Sequence, residues 1–275
     1  NNAFPLKQKG VPKEERYKKA EEMAEKLQIG HLLKRRPTQL SGGQQQRVAM
    51  CRALVKEPKV LLLDEPMSNL DARLKIEIRE VIKKLQHELH VTSVIVTHDQ
   101  EEAMAIADRI AILSEGKIQQ FDTPENLYEH PVNQFVANFM GNPPMNFIAA
   151  EITKVGGEVV LKIGDQALKL TKELQAKLGA HLNEKVEIGV RSHQAHLSEQ
   201  GSNTLPMEVS MVENLGKELL VTGSIHGNHM RLTIEDTKRF DELRKMMNSQ
   251  NEVLWVDFGD HLNVFGGEGK VNWAL

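Results

Sequence analysis

The sequence is short of several things that would narrow its class. Among 275 residues there is one cysteine, Cys51. That excludes an internal disulfide framework and suits a reducing compartment. Aromatic residues make up only 4%, which leaves few rings for stacking nucleic-acid bases. No apolar run approaches the ~20 residues of a membrane-spanning helix. The longest, around Val60–Leu63 and Val94–Val96, are strand-sized. No charged-then-apolar signal segment opens the chain, and no solenoid repeat, heptad array or low-complexity tract runs through it. What remains is ordinary: 40% hydrophobic and 27% charged residues, enough apolar material for a sizeable core. The length suits about two domains, and the composition reads as a cytosolic protein.

Net charge is −3, but it is unevenly spread. Residues 1–50 hold eleven Lys or Arg against five Glu, whereas the remainder holds 24 basic and 33 acidic side chains. A basic end on an acidic body suits a membrane surface or nucleic acid. The plain alternative is an amphipathic helix whose charged face is solvated.

The chain changes rhythm along its length. Pro12 is placed to open a helix whose inner positions are Tyr17, Ala20, Ala24 and Leu27, with Gly30 as the stop. A second helix is expected over Gln44–Lys56, ended before Pro58. The continuous apolar run Val60–Leu63 predicts a strand buried on both faces. Asp71 can cap a long helix from Ala72 to about Leu89. Strand Thr92–Thr97, helix Gln100–Ala107 and strand Arg109–Leu113 follow, a pattern that predicts a parallel α/β sheet with crossovers. Gly141-Asn142-Pro143-Pro144 is a strong break. Beyond it, short alternating runs (Ala150–Val155, Val159–Ile163, Glu187–Val190, Met207–Val212, Leu219–Ile225, His229–Leu232 and Val253–Phe258) predict a small antiparallel barrel or sandwich. The change of class falls near residue 145.

Four short strings carry chemistry. Leu40-Ser41-Gly42-Gly43-Gln44 opens a helix with a bare backbone, unpaired N–H groups and a positive dipole, all suited to a phosphate. The same string also serves as a simple N-cap. Strand Val60–Leu63 runs into Asp64 and Glu65, placing two carboxylates at the carboxyl edge of a parallel sheet, where such folds bind ligands. Asp64 suits a Mg²⁺ ion, and Glu65 can orient or deprotonate a water; a solvated strand end is the alternative. Ser68-Asn69-Leu70-Asp71 follows at once. His98 ends the next strand, where a lone histidine is usually structural. The four in fixed order are more specific than any one.

That order, with "LSGGQQQRVAMCRALVKEPKVLLLDEPMSNLDARL" and "VIVTHDQEEAMAIADRIAIL", resembles the nucleotide-binding subunit of ATP-binding cassette (ABC) transporters from about Phe4 to Phe147. The resemblance implies a P-loop-type α/β ATPase domain over 1–140, truncated at its N-terminal side. It also implies an all-β, oligonucleotide-binding-like (TOBE) regulatory domain over 145–275. By the same resemblance Ser41, Gly42, Gly43 and Gln44 are the signature loop, which meets the γ-phosphate of ATP held by the opposite subunit. Asp64 becomes the Walker B magnesium residue, Glu65 the catalytic base, and Ser68 to Asp71 the loop between the two sites. His98 becomes the switch histidine. Phosphoryl transfer needs positioning and charge neutralisation more than covalent chemistry, and these residue types supply both.

Gly141–Phe147, "GNPPMNF", before a β-rich domain resembles importers of the maltose, multiple-sugar and glycerol-3-phosphate type. Polyamine, iron and sulfate importers share the architecture but usually lack Met145-Asn146-Phe147. In "IGVRSHQAHL" the family's usual Arg-Pro-Glu is replaced by Arg191-Ser192-His193, which weakens any regulatory contact carried over to that segment. The implied cofactors are ATP and Mg²⁺. The implied partners are a second copy of the subunit, two transmembrane permease subunits and, indirectly, an extracytoplasmic substrate-binding protein, with no nucleic acid. The implied place is the cytoplasmic face of the membrane, where Lys34, Arg35 and Arg36 can face the permease or the leaflet.

One family element is missing from the sequence. Gly116-Lys117, Gly216-Lys217 and Gly269-Lys270 are followed by Ile, Glu and Val, so there is no G-x-x-x-x-G-K-[S/T] phosphate cradle. The family's adenine platform and its Q-loop glutamine also lie upstream of the segment that begins near Ala3. The expectation is a C-terminal fragment of a longer subunit that binds Mg-ATP poorly and hydrolyses it negligibly by itself. The rival readings are a non-catalytic regulatory or dimerisation module and, ranked last, a soluble ABC ATPase of translation or DNA repair.

Overall fold

The computed structural model of the chain describes residues 2–68, 70–201, 203–236, 240, 243 and 252–275. Contacts divide it into two compact units, Asn1–Asp108 and Arg109–Leu275.

The first unit holds α1 (Phe4–Gln8), α2 (Lys13–Lys26), α3 (Gly42–Leu54), β1 (Val60–Asp64), α4 (Ala72–Leu89), β2 (Thr92–Val96) and α5 (Gln100–Ile106). Pro12 precedes α2 as expected, and Ala20, Ala24 and Leu27 are buried, but Tyr17 is half exposed. The helix stops at Gln28, which turns left-handed at φ 59°, and not at Gly30, which opens a short 3-10 turn. Helix α4 buries Ile78, Val81, Ile82 and Leu85, one face at i, i+3, i+4 and i+7. That stripe and Met50, Cys51 and Leu54 of α3 form one core with Leu27, Ile29 and Met67. Burial pushes the Cys51 thiol up to about 11, so it behaves as a small apolar side chain.

Strands β1 and β2 pair in parallel, with Val60 opposite Thr92 and Asp64 opposite Val96. The expectation that β1 is buried on both faces is corrected here. Leu61 is buried, yet Val60, Leu62, Val94 and Val96 are 52%, 73%, 51% and 56% exposed. Within the first unit the helical core covers one face of the pair, so a continuous apolar run becomes an alternating burial pattern.

The second unit starts with β3 (Ile110–Ser114) and β4 (Lys117–Asp122), then α6 (Pro124–Glu129) and α7 (Gln134–Phe139). The strand expected at Arg109–Leu113 does not extend the parallel sheet; β3 pairs antiparallel with β4. The cause is local. Glu115 and Gly116 both take positive φ, 49° and 74°, a two-residue turn that reverses the chain at once, whereas a parallel neighbour needs a crossover.

The rest is antiparallel. One sheet contains β5 (Asn146–Val155), β6 (Glu158–Ile163), β7 (Gln166–Lys169), β8 (Lys185–Val190), β14 (Asn263–Gly266) and β15 (Val271–Asn272), in the order β15-β14-β8-β5-β6-β7. Helix α8 (Lys172–Leu178) lies between β7 and β8 in sequence. The other sheet contains β9 (His196–Ser198), β10 (Thr204–Asn214), β11 (Leu219–Ile225), β12 (Asn228–Ile234) and β13 (Val253–Asp257), in the order β12-β11-β10-β13-β9. A single core joins them, from Ile148, Ile152 and Leu161 to Val221, Leu232 and Val256. Asn146 fastens one sheet to the other: its amide donates to the Arg231 carbonyl and accepts from the Arg231 N–H, both at 2.8 Å.

The sequence changes class near 145, but the contacts divide at Asp108/Arg109. Residues 109–140 go with the β-rich unit because two of its buried side chains hold their backbone. Asn272 donates to the Pro131 carbonyl, and its own N–H donates to that of Val132. Arg191, 1% exposed, donates to the carbonyls of Ala137, Met140 and Tyr128 and lies 4.2 Å over the Tyr128 ring. Beside it, His193 stacks on Tyr128 and Ser192 hydrogen-bonds Thr233, so the segment that departs from Arg-Pro-Glu does packing work.

Candidate functional site

All the sequence-derived site residues fall in the first unit. Ser41 caps α3: its hydroxyl accepts from the Gln44 N–H at 3.4 Å, and the Gln44 side chain accepts from the Ser41 N–H at 3.1 Å. This reciprocal box satisfies two of the turn's donors and fixes where the remaining N–H groups point. Ser41 and Gly42 are exposed, while Gly43 is buried. An added Cβ at Gly43 would lie 2.6 Å from the Leu74 side chain, so glycine lets the first turns of α3 and α4 meet. At Gly42 the nearest such neighbour is Leu70, at an ordinary 3.5 Å.

Asp64 closes β1, and Glu65 follows it out of the sheet. The Glu65 N–H still donates to the Val96 carbonyl at 2.8 Å, yet its φ is 43°, a left-handed conformation that costs a non-glycine residue about 1 kcal/mol or more. Ser68 holds this turn, its hydroxyl and N–H both donating to the Glu65 carbonyl. The result aims the Glu65 carboxylate at His98, Oε1 to Nδ1 3.3 Å. Both side chains are open to solvent, 48% and 71% exposed. Asp71 is spent as a cap, accepting from the Leu74 N–H at 3.0 Å. Asn69 of the same turn lies outside the described residues.

The structure therefore brings Glu65, His98 and Asp64 to one edge. It also sets the Gly42–Gly43 turn against Leu70 and Leu74, beside the Ser68–Asp71 turn. Asp64 and Glu65 are both exposed, and the Asp64 carboxylate takes no hydrogen bond or ion pair from any described residue. Among the described residues no cluster of three or more His, Cys, Asp or Glu forms a metal cage. An open carboxylate such as that of Asp64 is the kind of oxygen donor that Mg²⁺ takes from a protein, one or two at a time.

Two groups of polar residues escaped the sequence reading. Arg47 of α3 reaches Glu77 of α4 at 3.4 Å and Gln28 at 3.2 Å. Lys75 of α4 reaches Asp99 at 2.8 Å and Glu102 at 2.9 Å, and Thr97 donates to Glu102 at 2.8 Å. The hydrogen bond to Asp99 and the close Glu102 carboxylate raise the Lys75 ammonium above its usual range, and the ammonium holds Asp99 below the carboxylate range. Asp99 directly before the helix Gln100–Ile106 was a legible N-cap signal; the partner 24 positions upstream was not.

Residues 2–68 match the ABC transporter family, and residues 141–193 match the MalK oligonucleotide-binding-fold domain. The trehalose/maltose import ATP-binding protein MalK of Thermococcus litoralis is 44% identical over 229 residues, 80% of this chain and 61% of that protein. The sn-glycerol-3-phosphate import ATP-binding protein UgpC of Bordetella avium is 44% identical over 270 residues, 98% of this chain and 69% of that protein. The maltose/maltodextrin import ATP-binding protein MalK of Mannheimia succiniciproducens is 39% identical over 265 residues, 96% and 68%. The chain thus spans about two thirds of the length of the curated relatives it matches.

Proposed function

Because this chain belongs to the ABC-transporter family of import ATP-binding proteins, we propose that it is the energy-coupling part of an importer for a sugar or sugar derivative. The observation that carries the reading is Glu65, held in a strained turn with its carboxylate 3.3 Å from His98 at the end of two parallel strands. In this reading Glu65 is the general base for the attacking water, and His98 contacts the terminal phosphate. Ser41, Gly42, Gly43 and Gln44 present the α3 N-terminus to the γ-phosphate of an ATP held by the second copy of a homodimer. Ser68 and Asp71 shape the turn between the two sites. Mg²⁺ would be held by Asp64 and would neutralise charge on the transferred phosphoryl group.

The ATPase-type domain is then 1–140 and the regulatory barrel 145–275. The open apolar face of Val60, Leu62, Val94 and Val96 supports a larger sheet, since further strands would bury it. Those strands would bring the P-loop that the 275 residues lack. Partners are two permease subunits and a substrate-binding protein, at the cytoplasmic membrane face. Lys34, Arg35 and Arg36 are exposed and free to meet the permease or anionic lipid, a contact that high salt would weaken. The sugar class rests on the relatives. Met145, Asn146 and Phe147 are explained by packing: Met145 is buried, Asn146 ties the sheets and Phe147 sits edge-on to Phe265 at 5.7 Å.

Gly42→Asp tests the signature role in this chain joined to a P-loop-bearing segment of the family. The new side chain finds ordinary room beside Leu70, and an acid in the first helical turn is favourable, so the melting temperature should stay within about 2 °C. ATP turnover should fall at least roughly 100-fold, because the carboxylate repels phosphate where the bare backbone should receive it. Unchanged turnover in a folded variant would remove the signature role. A regulatory module without catalysis is the second reading, favoured by the missing phosphate cradle.

A further inference from the structure

We propose that Lys75 is a positioning residue for His98: with Asp99, Glu102 and Thr97 it bolts the loop that carries the imidazole to the helix that follows the Ser68–Asp71 turn. This rests on the reading of His98 as the phosphate-contacting group, and deepens it. The starting observation is an asymmetry around His98. Its imidazole is 71% exposed, and Glu65 is its polar side-chain partner among the described residues. The residues on either side of it are fixed. Thr97 Oγ1 accepts from the Asp99 N–H at 3.0 Å and donates to Glu102 Oε2 at 2.8 Å. Asp99 Oδ1 caps α5 by accepting from the N–H groups of Glu101 and Glu102, at 3.0 and 3.2 Å. Its other oxygen meets the Lys75 ammonium at 2.8 Å.

Glu102 makes this arrangement obligatory. Its side chain is 4% exposed, and a buried carboxylate needs compensation for each oxygen. Oε2 has the Thr97 hydroxyl. Oε1 accepts no well-aligned hydrogen bond, so the ammonium 2.9 Å away is what compensates it. Removing Lys75 therefore strips Oε1 and one Asp99 oxygen together. The two carboxylates, left uncompensated, then draw water or a proton, and the contacts that hold Thr97, His98 and Asp99 to α4 are lost as a set. Lys75 itself is anchored, because it lies in the first turn of α4 and its N–H donates to the Asp71 carbonyl at 2.9 Å. A second tie runs from Lys83 to the Ala105 carbonyl at 3.1 Å, so α4 grips both ends of α5.

The test uses the 275-residue chain with ¹³C-labelled histidine. The eleven imidazoles provide ten internal references for His98. In Lys75→Met the His98 ring cross-peak should shift or broaden while the others hold. Amide exchange at Asp99–Glu102 should rise at least roughly tenfold, with α3 unchanged. Lys75→Arg should restore both. Val81→Ala, which loosens the buried face of α4 without touching the ion pairs, should leave the His98 signal in place. If Lys75→Met fails to fold, Glu102→Gln gives the same readout. A His98 signal and loop exchange that do not move in the folded variant, or that move equally in Val81→Ala, overturn the proposal. The readout needs no ATP turnover, so it stands or falls separately from the catalytic reading.

Discussion

Glu65→Gln in the chain completed with a P-loop segment is expected to lower ATP turnover by about 10²- to 10⁴-fold, the range that a positioned general base contributes. The loss should fall on kcat and leave the KM for ATP nearly unchanged, since a general base acts on the water and not on bound nucleotide. Gln preserves the shape of the side chain and can still hydrogen-bond the His98 Nδ1 that Glu65 meets at 3.3 Å. The side chain is 48% exposed and outside the core, so stability should barely change. Steady-state phosphate release over a range of ATP concentrations reads both numbers. A matching rise in KM with kcat intact would mean that Glu65 only binds.

Arg191→Met should have the largest effect on stability. The guanidinium is buried and donates to three carbonyls near the C-terminal ends of α6 and α7. Burial lowers its pKa below the usual arginine range, and the main-chain oxygens supply the compensating partial charge. Methionine fills some of the space but leaves those oxygens unpaired. The cost is about 3 kcal/mol or more, because charge-assisted hydrogen bonds contribute about 1.5–3 kcal/mol each and a buried orphan acceptor costs further. For a unit of this size that lowers the melting temperature by roughly 6–12 °C. Arg191→Lys should recover little, since one ammonium cannot reproduce a planar fork reaching three acceptors. Calorimetry of the second-unit transition checks it, and a shift under about 2 °C would show that α6 and α7 are held by apolar packing instead.

The local geometry of the candidate-site segments was legible because it depends on near neighbours in sequence. Ser41 before the Gly42-Gly43 pair reads as an N-cap, and the structure adds the reciprocal Gln44 bond. An apolar strand that ends in Asp64-Glu65 places carboxylates at a sheet edge, and Val94–Val96 places His98 there too. What was not legible depends on partners far along the chain or without side chains. Lys75 finds Asp99 and Glu102 across 24 and 27 positions, and either alone looks like surface charge. Arg191 binds backbone carbonyls, which any residue would offer, so no sequence pattern announces the clamp that draws 109–140 into the second unit. Val60 and Leu62 show the converse limit. Their apolarity says that the strand suits burial, but the elements that cover it decide which faces are buried. At Arg109–Leu113 the strand itself was foreseen, and the Glu115-Gly116 turn then chose its partner.

The most direct test of the account compares ATP hydrolysis by the 275-residue chain alone and by the same chain completed with a P-loop-bearing segment. The account predicts no turnover above background for the chain alone, and, once the phosphate cradle is present, turnover that Glu65→Gln lowers by about 10²- to 10⁴-fold. Glu65-dependent hydrolysis by the chain alone, or a completed and dimeric protein that binds ATP without hydrolysing it, would contradict the claim that Glu65 and His98 form the catalytic edge of an ATP site.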